Sequence, residues 1–249
     1  MLDRKALATA VIKKVEAHPF WQDVNLMARS FSGEVYLVGG KVYRSIIEIE
    51  HNRDCGSETA DWDFLLFGTS NQNRQFLGWK QTRGPGSPPP DPGVVQKKSA
   101  YTAFSAIPKA QRLSRTYERD VVGVFSKVDL IAIEDVAKIM TPNNGKLDLN
   151  LYFQSVPLDI QAIALGSVRV GIEGHGLDAV RNKQVRINNR TKVVKGRDID
   201  AYAQERADGL GFPLCKDPSQ AACSCESRVL FNSGCVCGYV KIKNSLRIG

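Results

Sequence analysis

A chain of 249 residues, 43% hydrophobic and 24% charged, can bury a substantial core, and no apolar stretch in it is long enough to span a bilayer. Its 34 Lys and Arg against 26 Asp and Glu leave a formal net charge of +8, which favours polyanionic partners such as RNA, DNA or nucleotide phosphates. The start, Met1-Leu2-Asp3-Arg4-Lys5, leads into an amphipathic pattern rather than a signal-peptide core, so a cytoplasmic protein without a membrane partner is expected.

Asp3 followed by Leu7, Ala10, Val11 and Val15 predicts an N-capped amphipathic helix that stops near His18-Pro19, where proline disfavours continuation. Val35 to Val38 reads as a short apolar strand and Gly39-Gly40 as a turn. Lys41 to Ile49 reads as a helix with Val42, Ile46 and Ile49 on one face. This order aims the helix's N-terminal amides at the turn, where glycine lets a phosphate approach the backbone. The next strand, Asp61 to Phe67, carries Asp61-Trp62-Asp63. Residues two apart share a face of a strand, so two carboxylates lie side by side at its start. Such carboxylates repel unless cations sit between them, and magnesium is the usual resolution where phosphates are handled.

The run of prolines and glycines over 83–93 is an excursion or a rigid spacer, because proline lacks the donor that a helix or central strand needs. Lys97, Lys98, Lys109, Arg112, Arg115 and Arg119, interleaved with Tyr101, Phe104 and Tyr117, suit either a single-stranded nucleic acid or a solvated helix face with core aromatics. Strands are expected at Val121 to Phe125 and Val128 to Ile133, and a short helix at Glu134 to Met140. An apolar pair follows at Ile160 to Leu165 and Val168 to Ile172, then a helical turn from Gly176, a strand at Val185 to Ile187 and a polar helix at Asp198 to Ala207. The fold class is therefore α+β, a mixed β-sheet with helices packed on it. Residues 1–195 form the main domain, and 196–249 hold the last helix and a small cysteine-rich segment.

Of the six cysteines, Cys55 stands alone while Cys215, Cys223, Cys225, Cys235 and Cys237 crowd the end of the chain. The pairs Cys223-x-Cys225 and Cys235-x-Cys237, with Cys215 able to replace one of the four, suit thiolate ligands for a structural zinc; free or oxidised thiols are the alternative. His175 reads as a turn residue, and His18 and His51 have no partner visible in sequence.

Three stretches together resemble the polymerase-beta-like nucleotidyltransferase superfamily, and within it the head domain of tRNA CCA-adding enzymes and bacterial poly(A) polymerases. Leu37-Val38-Gly39-Gly40-Lys41-Val42-Tyr43-Arg44 is similar to the Gly-Gly-x-Val-Arg turn, and Asp61-Trp62-Asp63-Phe64 to the metal-binding Asp-x-Asp. Ile160 to Leu165 with Gly176 to Arg186 is similar to the Ile-Asn-Ala segment and the turn after it. The resemblance implies that Asp61 and Asp63 bridge two magnesium ions, with a third carboxylate on a later strand. Asp129 matches best by context, and Asp148 and Asp159 are runners-up with the same apolar flanks. It further implies that Gly39 and Gly40 hold the triphosphate of an incoming nucleotide and that Lys41 or Arg44 neutralises it. The activity implied is template-independent transfer of a nucleoside monophosphate to a hydroxyl of RNA, or of tRNA in particular.

The sequence departs from that pattern in places. Ser155-Val156-Pro157-Leu158-Asp159 stands where the family has Arg-Arg-Asp-Phe, Tyr43 displaces the arginine by one, and Ser45 replaces the usual acid. The helical neck and body of CCA-adding enzymes have no counterpart here, so base and acceptor preference do not carry over. A nucleic-acid-binding or assembly protein that keeps the fold without catalysis is the alternative.

Overall fold

The computed structural model describes residues 1–30, 33–67, 75–83, 114–121, 124–132, 149–166, 171–190 and 198–215. The chain divides into two units, Met1–Lys216 and Asp217–Gly249, of which the second lies outside the described residues.

Helix α1 spans Arg4–Glu16, and the Asp3 carboxylate accepts from the Ala6 amide at 2.8 Å, satisfying one of the donors a helix start leaves open. Leu7, Ala8, Val11 and Val15 form its buried stripe, and it lies against α3 (Gly40–His51) and β7 (Gly171–Glu173). The His18-Pro19 break leads at once into a helix that sequence patterning did not suggest, α2 (Trp21–Arg29), which buries Val24, Met27 and Ala28.

One seven-stranded sheet runs in the order β3-β4-β5-β2-β1-β6-β7. Its other members are β1 (Glu34–Val38), β2 (Trp62–Phe67), β3 (Lys80–Arg83), β4 (Ser114–Val121), β5 (Val124–Ala132) and β6 (Ala164–Gly166). β2 and β5 are parallel and every other pair is antiparallel, so the sheet is mixed and the fold is α+β with helices packed on it. Alternation along β2 sends Trp62, Phe64 and Leu66 into the core with Leu7, Val11 and Ile46, and turns Asp63 to the other face.

The second half adds α4 (Leu149–Ser155), a single 3₁₀ turn at Asp159–Gln161, α5 (Gly176–Arg181) and a small parallel pair, β8 (Val185–Arg186) with β9 (Leu214–Cys215). Helix α6 (Ile199–Leu210) is capped by Asp198 and closed by Gly211 in the left-handed region. It buries Tyr202, Ala203, Ala207 and Leu210 in the same core as α1 and α3, within the first unit, Met1–Lys216.

Two further expectations shift. Val121 to Phe125 is not one strand, because Val121 and Val124 are register partners at the tip of the β4–β5 hairpin. Of the basic, aromatic stretch, the described part is strand rather than helix face. Tyr117 is fully buried against Phe76, and Arg119 sits over Phe20 and Trp79 with its guanidinium on Asp23. The expected helix at 134–140, the excursion beyond Arg83, Lys97, Lys98, Lys109, Arg112, Asp148 and the cysteines 223, 225, 235 and 237 lie outside the described residues. Among the described residues, no helix is long and apolar enough to cross a membrane.

Candidate active site

Three central strands assemble the site. Val38, the last residue of β1, is the antiparallel partner of Asp63, and Asp63 is in turn the parallel partner of Asp129 on β5. Neighbouring strands run about 4.8 Å apart, so this register stands two carboxylates side by side at the point where the chain leaves β1 for the glycine turn. Asp61 lies one position before the Trp62 and Val128 pair and so comes level with Lys127. The ammonium of Lys127 is 2.8 Å from Asp129 Oδ2 and 3.7 Å from Asp61 Oδ2. Burial alone would lower its pKa, but attraction to Asp129, Asp61 and Asp63 raises it, which keeps the lysine charged. Thr116, opposite Asp129 on β4, donates its hydroxyl to Asp129 Oδ1 at 2.6 Å.

The structure thus brings Asp61, Asp63 and Asp129 to one patch of sheet, with Lys127 between them. Sequence reasoning did not select Lys127 or Thr116. Lys127 was open to it, since two residues before Asp129 is the same face of β5. Thr116 was not, since only the hairpin register places it there. Asp159, a runner-up for the third carboxylate, is elsewhere in the fold. Its Oδ1 accepts the amides of Ile160 at 2.8 Å and Arg186 at 2.9 Å.

Gly39 makes the turn with φ +71° and ψ −152°, and a Cβ there would overlap the Asp63 carboxylate. A side chain is excluded twice, by backbone conformation and by the aspartate folded over the glycine. A Cβ on Gly40 would be 3.4 Å from Ala60, an ordinary contact. Tyr152 of α4 is hydrogen-bonded to the Gly39 backbone, and burial beside Asp63 raises its pKa.

The two candidate cations of the turn are not aimed outward. Lys41 is 2% exposed, donates to the Glu58 carbonyl at 2.8 Å and lies over the Trp62 ring, 4.3 Å from its centroid. Burial lowers its pKa to about 8 against the opposing pull of Asp61 and Glu58, and helps lower that of His18, which meets the same carbonyl. Arg44 donates to the Gly56 carbonyl at 3.2 Å. Lys41, expected with Arg44 to neutralise a triphosphate, thus has its ammonium on the Glu58 carbonyl and the Trp62 ring.

That segment is tied down by Glu48. Its Oε1 accepts the amides of Cys55 at 3.0 Å and Ser57 at 2.8 Å, the Ser57 hydroxyl donates to Oε2, and Lys14 is 3.1 Å away. Burial pushes the Glu48 carboxyl up, but these donors outweigh it and hold the pKa at about 2. Of the histidines, His51 meets the Val180 carbonyl at 2.9 Å and His175 precedes α5 beside Phe153. Cys55 and Cys215 are free thiols.

Carboxylate oxygens beside a backbone cradle that a Cβ would fill are the donor chemistry of a hard divalent cation, and the Lys127 ammonium stands where positive charge is required. As they stand, the described residues contain no group of three or more His, Cys, Asp or Glu drawn in to metal-binding distance. The Lys127 ammonium lies between Asp129 and Asp61 instead.

No family model matches the chain, and no curated protein matches it. A solved structure described as "Structure of tRNA-processing enzyme complex 3" is similar with a TM-score of 0.41 and 14% identity, over 79% of this chain and 44% of that chain. The chain thus spans less than half the length of that protein.

Proposed function

We propose that the protein is a metal-dependent, template-independent nucleotidyltransferase that joins a nucleoside monophosphate to an RNA hydroxyl, with tRNA as one acceptor. The observation that carries this reading is the register of three strands. It puts Asp63 beside Asp129, Asp61 level with Lys127, and all of them next to a glycine turn that opens a helix. In the reaction the acceptor oxygen bonds to the α-phosphorus, the α–β anhydride breaks and pyrophosphate leaves. Magnesium held by Asp61, Asp63 and Asp129 would supply charge neutralisation and activation of the hydroxyl.

The chain's own residues supply position. Thr116 fixes one oxygen of Asp129 and leaves the other to a cation. Gly39 seats Asp63, and the N-terminal amides of α3 from Lys41 onward favour a phosphate near the turn. The formal charge of +8 favours an RNA acceptor. A structural zinc in the cysteine-rich end is part of the same proposal, tested by metal analysis of the purified chain: much less than one zinc per chain removes it.

Labelled ATP, CTP, GTP or UTP incubated with the protein, magnesium and an RNA pool should give labelled RNA, and Asp61→Ala with Asp63→Ala should abolish it. Labelling that survives in the double variant ends this reading. Lys127 in the place of a cation favours a second one, a nucleic-acid-binding protein that keeps the fold without turnover. Magnesium-dependent binding of a nucleoside triphosphate separates the two, because only the first requires it.

A further inference from the structure

We infer that Lys127 is a tethered stand-in for the metal: it holds the carboxylates together when no divalent cation is present and must give up that place when one binds, so it sets the affinity of the site. The inference rests on the nucleotidyltransferase reading only in taking Asp61, Asp63 and Asp129 as the ligands.

The geometry is that of a cation site filled from within. Lys127 rises from the same face of β5 as Asp129, two residues away, and its ammonium spans Asp129 Oδ2 at 2.8 Å and Asp61 Oδ2 at 3.7 Å. A metal bridging those oxygens needs the volume the ammonium occupies. Thr116 binds the other oxygen of Asp129, so the lysine and the metal compete for one and the same atom. The lysine can leave. Its side chain is 30% exposed and that of Asp61 49%, so water reaches that pair and it is weak enough to exchange, while Asp129, 12% exposed, holds the lysine more tightly. Glu118, directly opposite Lys127 on β4, is a carboxylate outside the set it now holds.

Two consequences follow from charge alone. Without Lys127 the Asp61 and Asp129 carboxylates lose the cation they share, which destabilises the metal-free protein and strengthens its hold on a divalent cation. A unit charge a few ångströms away in a half-buried site that water still reaches changes cation affinity by about tenfold or more. The affinity for magnesium is therefore lower than the carboxylates alone would give.

The test is a manganese titration of the full chain followed by electron paramagnetic resonance. Lys127→Met should bind manganese about tenfold more tightly than the wild type, Lys127→Arg should stay near the wild type, and Asp61→Asn with Asp63→Asn should lose binding. Equal affinity in the wild type and Lys127→Met, with binding still lost in the double aspartate variant, overturns the role of Lys127 and leaves the metal site standing. No binding by either the wild type or Lys127→Met, or full binding by the aspartate variant, overturns both. A second measurement needs no folded Lys127→Met. The Lys127 ¹⁵Nζ resonance of the wild type, assigned with Lys127→Arg, should shift or vanish as magnesium saturates, and an unchanged resonance overturns the inference.

Discussion

Asp129 and Asp159 follow similar sequence, Val128-Asp129-Leu130 and Leu158-Asp159-Ile160, yet the fold gives them opposite partners. Asp129 is held by side chains, the Thr116 hydroxyl and the Lys127 ammonium, and the second of these can move. Asp159 is held by main chain, the amides of Ile160 and Arg186, and it sits where chain segments pass too closely for side chains. A Cβ on Gly176 would overlap the Asp159 carbonyl, and one on Gly174 the Ala162 carbonyl. A carboxylate answered by backbone amides ties the fold and has nothing to exchange. One answered by a lysine can trade that lysine for another cation.

The largest expected effect tests that contrast directly. Asp129→Asn should lower the rate of nucleotide incorporation by a factor of about 10² to 10³, the range seen when one group that stabilises transition-state charge is removed. Asp159→Asn should leave the rate within about twofold, because the amide oxygen still accepts from both backbone donors. Initial rates on one RNA substrate at saturating magnesium decide it. Equal losses in the two variants would mean that partner type does not distinguish them.

The next effect is on stability, with its sign fixed by burial. Burial raises the Asp159 pKa from 3.8 to about 6, against the amides of Arg186 and Ile160, which lower it. The folded chain therefore binds this proton more tightly than the unfolded chain. The resulting stabilisation is fully present below about pH 4 and is lost as pH rises through about 6, amounting to about 3 kcal/mol. Glu48 has the opposite sign. Its folded pKa near 2 gives a stabilisation present above pH 4.5 and lost as pH falls towards 2, and both variants share it, so it cancels from their difference. Urea melts from pH 4 to 7 should show the wild type losing ground against Asp159→Asn as pH rises. A difference between the two that stays flat across that range removes the buried-carboxylate account.

The two neighbouring glycines sharpen the same distinction at the active turn. Gly39→Ala forces a side chain into a positive-φ conformation that glycine almost alone adopts, at about 1–3 kcal/mol, and also displaces the Asp63 carboxylate. Gly40→Ala meets ordinary space at the first residue of α3 and should change stability by no more than about 1 kcal/mol. Denaturation midpoints together with incorporation rates check both. A Gly39→Ala variant as benign as Gly40→Ala would show that the turn does not seat Asp63.

How far the sequence alone reached follows from the range of the interactions. The strand, turn and helix at 34–51 and the strand that carries Asp61 and Asp63 were legible from local periodicity, and the register sets Asp129 beside Asp63. Helix α2 was not, because Trp21-Gln22-Asp23-Val24 has no strong stop or start signal beyond the proline before it. The inward turn of Lys41 was not legible either. It depends on the Glu58 carbonyl and the Trp62 ring, which the 52–60 segment delivers only once Glu48 has pinned it. Register explains the remaining miss, since the pairing of β4 with β5 decides which residue of β4 faces Asp129.

The smallest effect concerns that residue. Thr116 is buried and its hydroxyl meets Asp129 Oδ1 at 2.6 Å, so Thr116→Val keeps the shape and removes a donor from a charged acceptor. The loss of such a bond costs about 1–2 kcal/mol. Its effect on rate should be modest, up to about tenfold, because Lys127 still fixes the other oxygen, as a metal in its place would. Thr116→Ser, which keeps the hydroxyl, should restore most of the rate. If serine and valine behave alike, the hydroxyl does not orient Asp129 and Thr116 matters only for packing. If valine alone lowers the rate while the melting point recovers on adding magnesium, the side-chain partners of Asp129 are exchangeable, in the way the backbone partners of Asp159 are not.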